Sequence, residues 1–252
     1  MKSLKNLNSI FALAMIASLF TFSGCDKDED DHTDDHQHLF LKFHHHVGAD
    51  ELVLNQDFTS NGVKFQISRI NYYLSGLKMQ IDHSDVYQNY DDVYLLIDET
   101  TDEVELGEIP AGGMHGLEFA IGIEDSATNH SDPATWPSSH PLAPQSPSMH
   151  WDWNPGYIFI AIEGMVDTDS DGTVDADMEM HVGLDKNLAH HDSHHHFNVT
   201  AGTDVTLNVE LDLLQVFSGI DLATQYITHS MGSGDSLAMA ISANLPAAFN
   251  VE

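Results

Sequence analysis

The chain has 252 residues, and 40 Asp and Glu stand against 8 Lys and Arg, a formal net charge of −32. A surface of that sign repels nucleic acid and anionic membrane and attracts cations and basic partners, which excludes nucleic-acid binding as a function. An apolar share of 42% is enough for a folded core, and 18 His beside one Cys point to imidazole as the available metal ligand.

Lys2 and Lys5 precede an apolar run over residues 10–22 that is too short for a standard spanning helix, the pattern of a secretory signal. The run ends Thr21-Phe22-Ser23-Gly24-Cys25, which resembles the bacterial lipobox, where the cysteine is lipidated and becomes the first residue of the mature chain. Residues 1–24 are therefore expected to be a lipoprotein signal peptide and Cys25 the lipidation site, leaving no thiol for a disulfide or a metal. The following Asp26-Lys27-Asp28-Glu29-Asp30-Asp31-His32 stretch, polar through Gln37, cannot bury apolar surface, so residues 25–37 read as an acidic disordered tether. Such a tract also resembles the one that marks surface-exported lipoproteins of some Gram-negative bacteria. The expected location is the bacterial cell envelope, lipid-anchored at the outer membrane and either periplasmic or surface-exposed. Residues 38–252, about 215 in all, contain no second linker and are expected to form one domain.

The domain reads as all-β. Residues 39–43 alternate partly and run into Phe43-His44-His45-His46-Val47. Residues 63–81 are rich in β-branched and aromatic types, with Tyr72 and Tyr73 at the centre and a bend expected at Ser75-Gly76. Residues 93–97 and 117–123 are short apolar strands, the second introduced by an Ala111-Gly112-Gly113 turn signal. Residues 157–165 form a buried strand, Met178-Glu179-Met180-His181-Val182 another, and residues 205–211 alternate cleanly. Helix is confined to residues 212–217 and a short stretch near the C-terminus. Many short strands separated by turns predict an antiparallel β-sandwich or barrel-like domain. The insertion over residues 124–148, with Pro133, Pro137, Pro141, Pro144 and Pro147, is expected to be a lid over the segment after it.

That segment is Met149-His150-Trp151-Asp152-Trp153-Asn154-Pro155-Gly156-Tyr157, followed by the strand ending Ile162-Glu163-Gly164. Two tryptophans two residues apart in a strand share a face, which general expectation assigns to an aromatic core wall. The run also resembles the M-x-W-x-W-x-x-G-Y…E-G signature of the MbnP family, secreted copper-binding proteins found beside methanobactin systems and related to the methanotroph surface protein CorA. Phe65-Gln66-Ile67-Ser68-Arg69-Ile70-Asn71-Tyr72-Tyr73-Leu74-Ser75 is similar to the family's aromatic-Tyr-Leu-Ser strand. Phe119-Ala120-Ile121-Gly122-Ile123 is similar to its F-x-I-G-V strand, His181-Val182-Gly183 to its H-L-G element, and Phe43 to Gly48 to its opening strand.

The resemblance implies a copper site on an all-β domain, without catalysis, for capture, storage or delivery of copper as Cu(I). It implies a first shell of His46 (or His44, on the same face) and His181, with Trp151 or Trp153 oxidised to kynurenine by a di-haem partner enzyme of the MauG type. Met149 and His150 are further candidates. This chain departs from the family in carrying His150 between Met149 and Trp151, and extra histidines in the opening strand. Chemistry agrees independently, because imidazole with methionine sulfur stabilises Cu(I), and a redox metal can exploit an indole where zinc cannot.

Two further clusters stand apart. Asp167-Thr168-Asp169-Ser170-Asp171-Gly172, followed by Asp175 and Asp177, reproduces the start of an EF-hand calcium loop, but Met178 occupies the place of the bidentate acid. A structural Ca²⁺ is expected there, pinning a hairpin; the alternative is a solvated acidic turn. His190-His191-Asp192-Ser193-His194-His195-His196 is a polar run able to hold metal loosely, or an exposed loop without a role, and His32, His36, His38 and His229 carry the same ambiguity. Rival functions are a surface haem- or metallophore-binding lipoprotein, a copper-dependent redox enzyme using Tyr72, Tyr73 and the tryptophans, and a calcium-stabilised structural sandwich.

Overall fold

A computed structural model describes residues 36–151, 155–230 and 235–252. Cys25, the tether through Asp35, Trp153 and Met231 lie outside the described residues. In chain order the strands are β1 (His38–Val47), β2 (Asp50–Glu51), β3 (Phe58–Ser60), β4 (Val63–Ile81), β5 (Val86–Asn89), β6 (Leu95–Asp98), β7 (Glu103–Glu108) and β8 (Gly112–Ile121). A one-turn helix α1 (Ser126–Asn129) follows, then β9 (Ile158–Val166), β10 (Ala176–Gly183), β11 (Ala189–Asp192), β12 (Phe197–Val199) and β13 (Val205–Asp212). Helix α2 (Leu213–Val216), β14 (Ile227–Thr228), α3 (Ser236–Ala248) and β15 (Phe249–Val251) complete the chain.

The strands form two sheets of one all-β domain, a β-sandwich. The smaller sheet has the order β15-β13-β1-β2, with β7 also on β1, and the larger runs β11-β8-β4-β9-β10-β14, with β12 on β8 and β3, β5 and β6 on β4. The pairing is mixed where an antiparallel sandwich was expected: β1 pairs with β13 in parallel, Leu41 opposite Leu207, and β10 pairs with β14 in parallel. Ser75-Gly76 does not end a strand. It forms an irregularity against β8 within the unbroken 19-residue β4, with Gly76 at φ +59°. Likewise β8 begins at Gly112, inside the expected turn.

Strand alternation decides what faces what. On β1, Leu39, Leu41, Phe43, His45 and Val47 are buried between the sheets, while Lys42, His44 and His46 point away. On β10, Met178, Met180 and Val182 enter the same core, while Glu179 and His181 point away from it. Tyr72, Ile160 and Ile162 belong to that core too. Their neighbours Tyr73, Phe159 and Ala161 instead build a second cluster on the outer face of the larger sheet, with Leu142, Met149, Tyr157, Trp136 and Trp151.

The proline-rich insertion covers this outer face, as a lid should. Tyr73 Oη donates to Pro141 O (3.1 Å), Tyr157 Oη donates to Leu142 O (2.6 Å), and Trp136 stacks on His140 at 4.3 Å. Gly156, at φ +80°, passes so close to Asn129 that a Cβ would lie 2.4 Å from its carbonyl oxygen. The C-terminal helix is longer than the short stretch expected. Asp235 caps it by accepting from Ala238 N, and Leu237, Ala238, Ile241, Leu245 and Ala248 line its buried side.

Candidate metal centre

His181 stands on the outer face of β10 opposite Ala161 of β9. Its Nε2 lies 2.9 Å from Glu163 Oε1, and the Arg69 guanidinium reaches the same carboxylate at 2.5 Å. A second Arg69 nitrogen donates to Met149 Sδ at 3.2 Å. Burial works against the charged form of Glu163, but the hydrogen bond from His181 and the Arg69 cation outweigh it, holding the carboxyl below its ordinary range. The carboxylate therefore fixes the His181 ring, the arrangement that orients a ligating imidazole.

The parallel pair β10–β14 sets Glu179 opposite Ile227 and Met180 opposite Thr228, so the next residue, His229, arrives beside His181. The two imidazole centroids are 5.3 Å apart, and His229 Nε2 lies 3.5 Å from Glu179 Oε2. Ser230 Oγ donates to His181 O, which ties the His229 segment to the strand. Trp151 closes the other side. Its ring atoms Cζ3 and Cη2 lie 2.8 and 3.0 Å from where a Cβ on Gly183 would stand. One wall thus holds two imidazoles, each against a carboxylate, with an indole and a thioether nearby. Imidazole nitrogen and thioether sulfur suit a soft or borderline ion better than a hard one.

The first shell implied by the resemblance does not assemble. His44 and His46 share a face, with ring centroids 6.3 Å apart, but it is the outer face of the smaller sheet. His181 is on the outer face of the larger one, so the whole core separates them; among the described residues β1 pairs with β2, β7 and β13 alone. Among the described residues, no group of three metal-ligating side chains includes His44, His46 or His181. His45, between them, is a core residue: its Nε2 is 3.1 Å from Tyr72 Oη, and burial pulls its pKa down to about 4. His150 packs edge-on against Tyr157 at 4.7 Å, and Met149 is buried. Glu163 and Arg69 are the site residues to which sequence reasoning gives no role, and His229, read there only as a loose metal ligand or a residue without a role, is not placed beside His181. A carboxylate one strand from a histidine is a signal only once β9 and β10 are paired.

The acidic loop joins β9 to β10, as its spacing predicts. Ligand oxygens of Asp167, Asp169 and Asp171 lie within 4.8 Å of one another. Asp167 is 2% exposed and accepts from Ser170 N and Gly172 N, both at 2.8 Å, while Gly172 takes φ +88°. Asp175 turns back to Thr168 and Asp177 sits on the exposed side of β10, so neither joins the group. The histidine run is divided too. His191 is buried, its Nδ1 donating to Pro246 O at 2.9 Å, whereas His190 points to Glu124.

A family model described as MbnP matches residues 36–232. Among solved structures the chain is similar to MbnP from Methylosinus trichosporium, with 18% identity and a TM-score of 0.58 over 86% of this chain and 98% of that one. At such identity the likeness speaks for the fold alone. None of the curated proteins compared matches the chain. The family model runs from before β1 to beyond His229, well over half of the sequence, and the chain belongs to the MbnP family.

Proposed function

We propose that this protein binds copper, as Cu(I), at the bacterial cell envelope, to capture, store or deliver it. The ligands are His181 and His229, with Trp151 and Met149 beside them. The observation that carries the reading is the pairing of those two imidazoles, 5.3 Å apart, at the strand whose Gly183 packs against Trp151 of the family's signature segment. Family membership supports it, and the family is not a recognised enzyme family. The ion is cargo, so the protein's work is selectivity: neutral imidazoles favour a borderline or soft ion, and the lid limits water at that face. Glu163 offsets the Arg69 cation and keeps the His181 ring turned toward the wall.

The same proposal assigns lipid attachment to Cys25 and oxidation of Trp151 or Trp153 to kynurenine to a separate di-haem enzyme of the MauG type. It also assigns a structural Ca²⁺ to Asp167, Asp169 and Asp171, whose oxygens converge where three carboxylates would otherwise repel. Metal analysis of protein from its native envelope, with peptide mass spectrometry on the same sample, tests the reading. Near-stoichiometric copper and a kynurenine mass on the residue 149–157 peptide are expected. Protein carrying no copper, or haem in its place, would overturn it.

A further inference from the structure

A second histidine cluster lies away from His181, where three separate pieces of chain meet on β8. His115 is on β8 itself. His83 sits in the exposed turn between β4 and β5, pinned to the strand by a hydrogen bond from Asp82 N to Gly113 O (2.9 Å). His196 comes from the histidine run on the opposite edge. There, Asp192 pairs with Glu118 and Phe197 with Met114, so four residues, 193–196, span the stretch that β8 crosses in three. The extra length forces the run to bulge over the strand. Ser193 clamps it: its N–H donates to Leu117 O (3.1 Å) and its Oγ accepts from Leu117 N (2.8 Å). A Cβ on Gly116 would lie 1.8 Å from Ser193 O, so only glycine next to His115 permits this approach.

The outcome is a knot of imidazoles. The His115 centroid is 4.2 Å from that of His196 and 4.8 Å from that of His83, and His83 and His196 are 5.0 Å apart. One ring nitrogen from each of the three falls within 4.8 Å of the others, and no carboxylate belongs to the group. His115 Nδ1 is shielded from solvent and has no hydrogen-bond partner among the described residues. A buried polar atom left unpaired is costly, and neutral imidazoles gain little from facing one another without an ion between them. Ligands on a metal at roughly 2.1 Å stand roughly 3.4 Å apart in a tetrahedron, within reach of small side-chain rotations in an exposed turn and a bulge.

We propose that His83, His115 and His196 form a second metal site, for a divalent late first-row transition ion of the zinc and Cu(II) class. His194, whose ring is 5.4 Å from that of His115, is placed to supply the fourth position. Three neutral nitrogens with neither thiolate nor carboxylate exclude Ca²⁺ and Mg²⁺ and suit zinc or Cu(II). The site does not depend on the copper reading of His181, with which it shares no residue.

The test is zinc titration of the chelator-stripped protein against a competing chromophoric chelator, for the wild type and for His83→Ala, His115→Ala, His195→Ala and His181→Ala. The expected result is one zinc ion per chain, with affinity at least tenfold weaker in His83→Ala and His115→Ala. It should be unchanged in His195→Ala, whose ring stacks on Phe197, and in His181→Ala. Cobalt(II) should give the visible absorption of a four-coordinate site in the wild type and lose it in His83→Ala. His83 is in an exposed turn, so that variant separates a lost ligand from a lost fold. Wild-type affinity in His83→Ala, equal losses in His195→Ala, or zinc lost with His181→Ala would each overturn the proposal.

Discussion

The indole of Trp151 lies directly against Gly183, its Cζ3 2.8 Å from where a side chain on that glycine would begin. The same position is 2.6 Å from Tyr157 O, so backbone and ring close on it together. This gives the His181-Val182-Gly183 sequence a physical reason: the histidine is delivered by a strand whose next outward step must be bare. Gly183→Ala should therefore displace Trp151 and cost about 1–3 kcal/mol through overpacking. Urea unfolding followed by tryptophan fluorescence reads both effects. An unshifted midpoint with unchanged emission would show that the indole is held by something else.

Glu163 is the brace between Arg69 and His181. Glu163→Gln keeps the shape but removes the charge that balances the guanidinium. Loss of such an orienting partner commonly weakens metal binding by roughly tenfold or more. Cu(I) competition titration should find that loss with the circular dichroism spectrum intact.

His45 predicts how stability varies with pH. Burial lowers its pKa from 6.5 to about 4; Asp98 opposes the shift, and His44 and His46 add to it, while Tyr72 faces the ring as a neutral phenol. Because the folded pKa is the lower one, the unfolded chain binds the extra proton first as pH falls. Stability is complete above about pH 6.5 and declines toward pH 4, by roughly 3 kcal/mol from this residue. His45→Gln, which keeps a partner for Tyr72 without titrating, should flatten the unfolding midpoint over that window. A wild-type slope retained in the variant would assign the effect to other groups.

Calcium should raise the melting temperature through the β9–β10 loop. Stabilisation reaches about 2.7 kcal/mol at a concentration one hundred times Kd. Asp167→Asn removes the buried member of the trio and should abolish the response. Equal shifts in variant and wild type would locate the ion elsewhere.

Many of the strands are legible in the amino-acid sequence alone. Alternation marks β1 and β13, β-branched and aromatic content marks β4, and Asp spacing with Gly172 marks the hairpin loop. What sequence does not supply is pairing. Parallel partners are not joined by a turn, so nothing in residues 39–46 indicates that they lie beside residues 205–212. Without that pairing, His44 and His46 look like neighbours of His181, when β1 in fact turns them to the far side of the core. His229 is hidden for the same reason, since only the β10–β14 ladder brings it across from His181. His45 is legible in principle: it shares its face with Leu39, Leu41, Phe43 and Val47, whereas His44 and His46 share theirs with Lys42, so alternation alone turns the middle histidine inward.

On the proposed function, copper sits between His181 and His229 and not at the opening strand. Cu(I) affinity measured by chelator competition for His181→Ala, His229→Ala and His46→Ala decides it. Each of the first two should lose more than the roughly 10- to 100-fold that removing a ligand's hydrogen-bond partner costs, while His46→Ala binds as the wild type does. If His46→Ala loses copper and His229→Ala keeps it, the site proposed here is wrong.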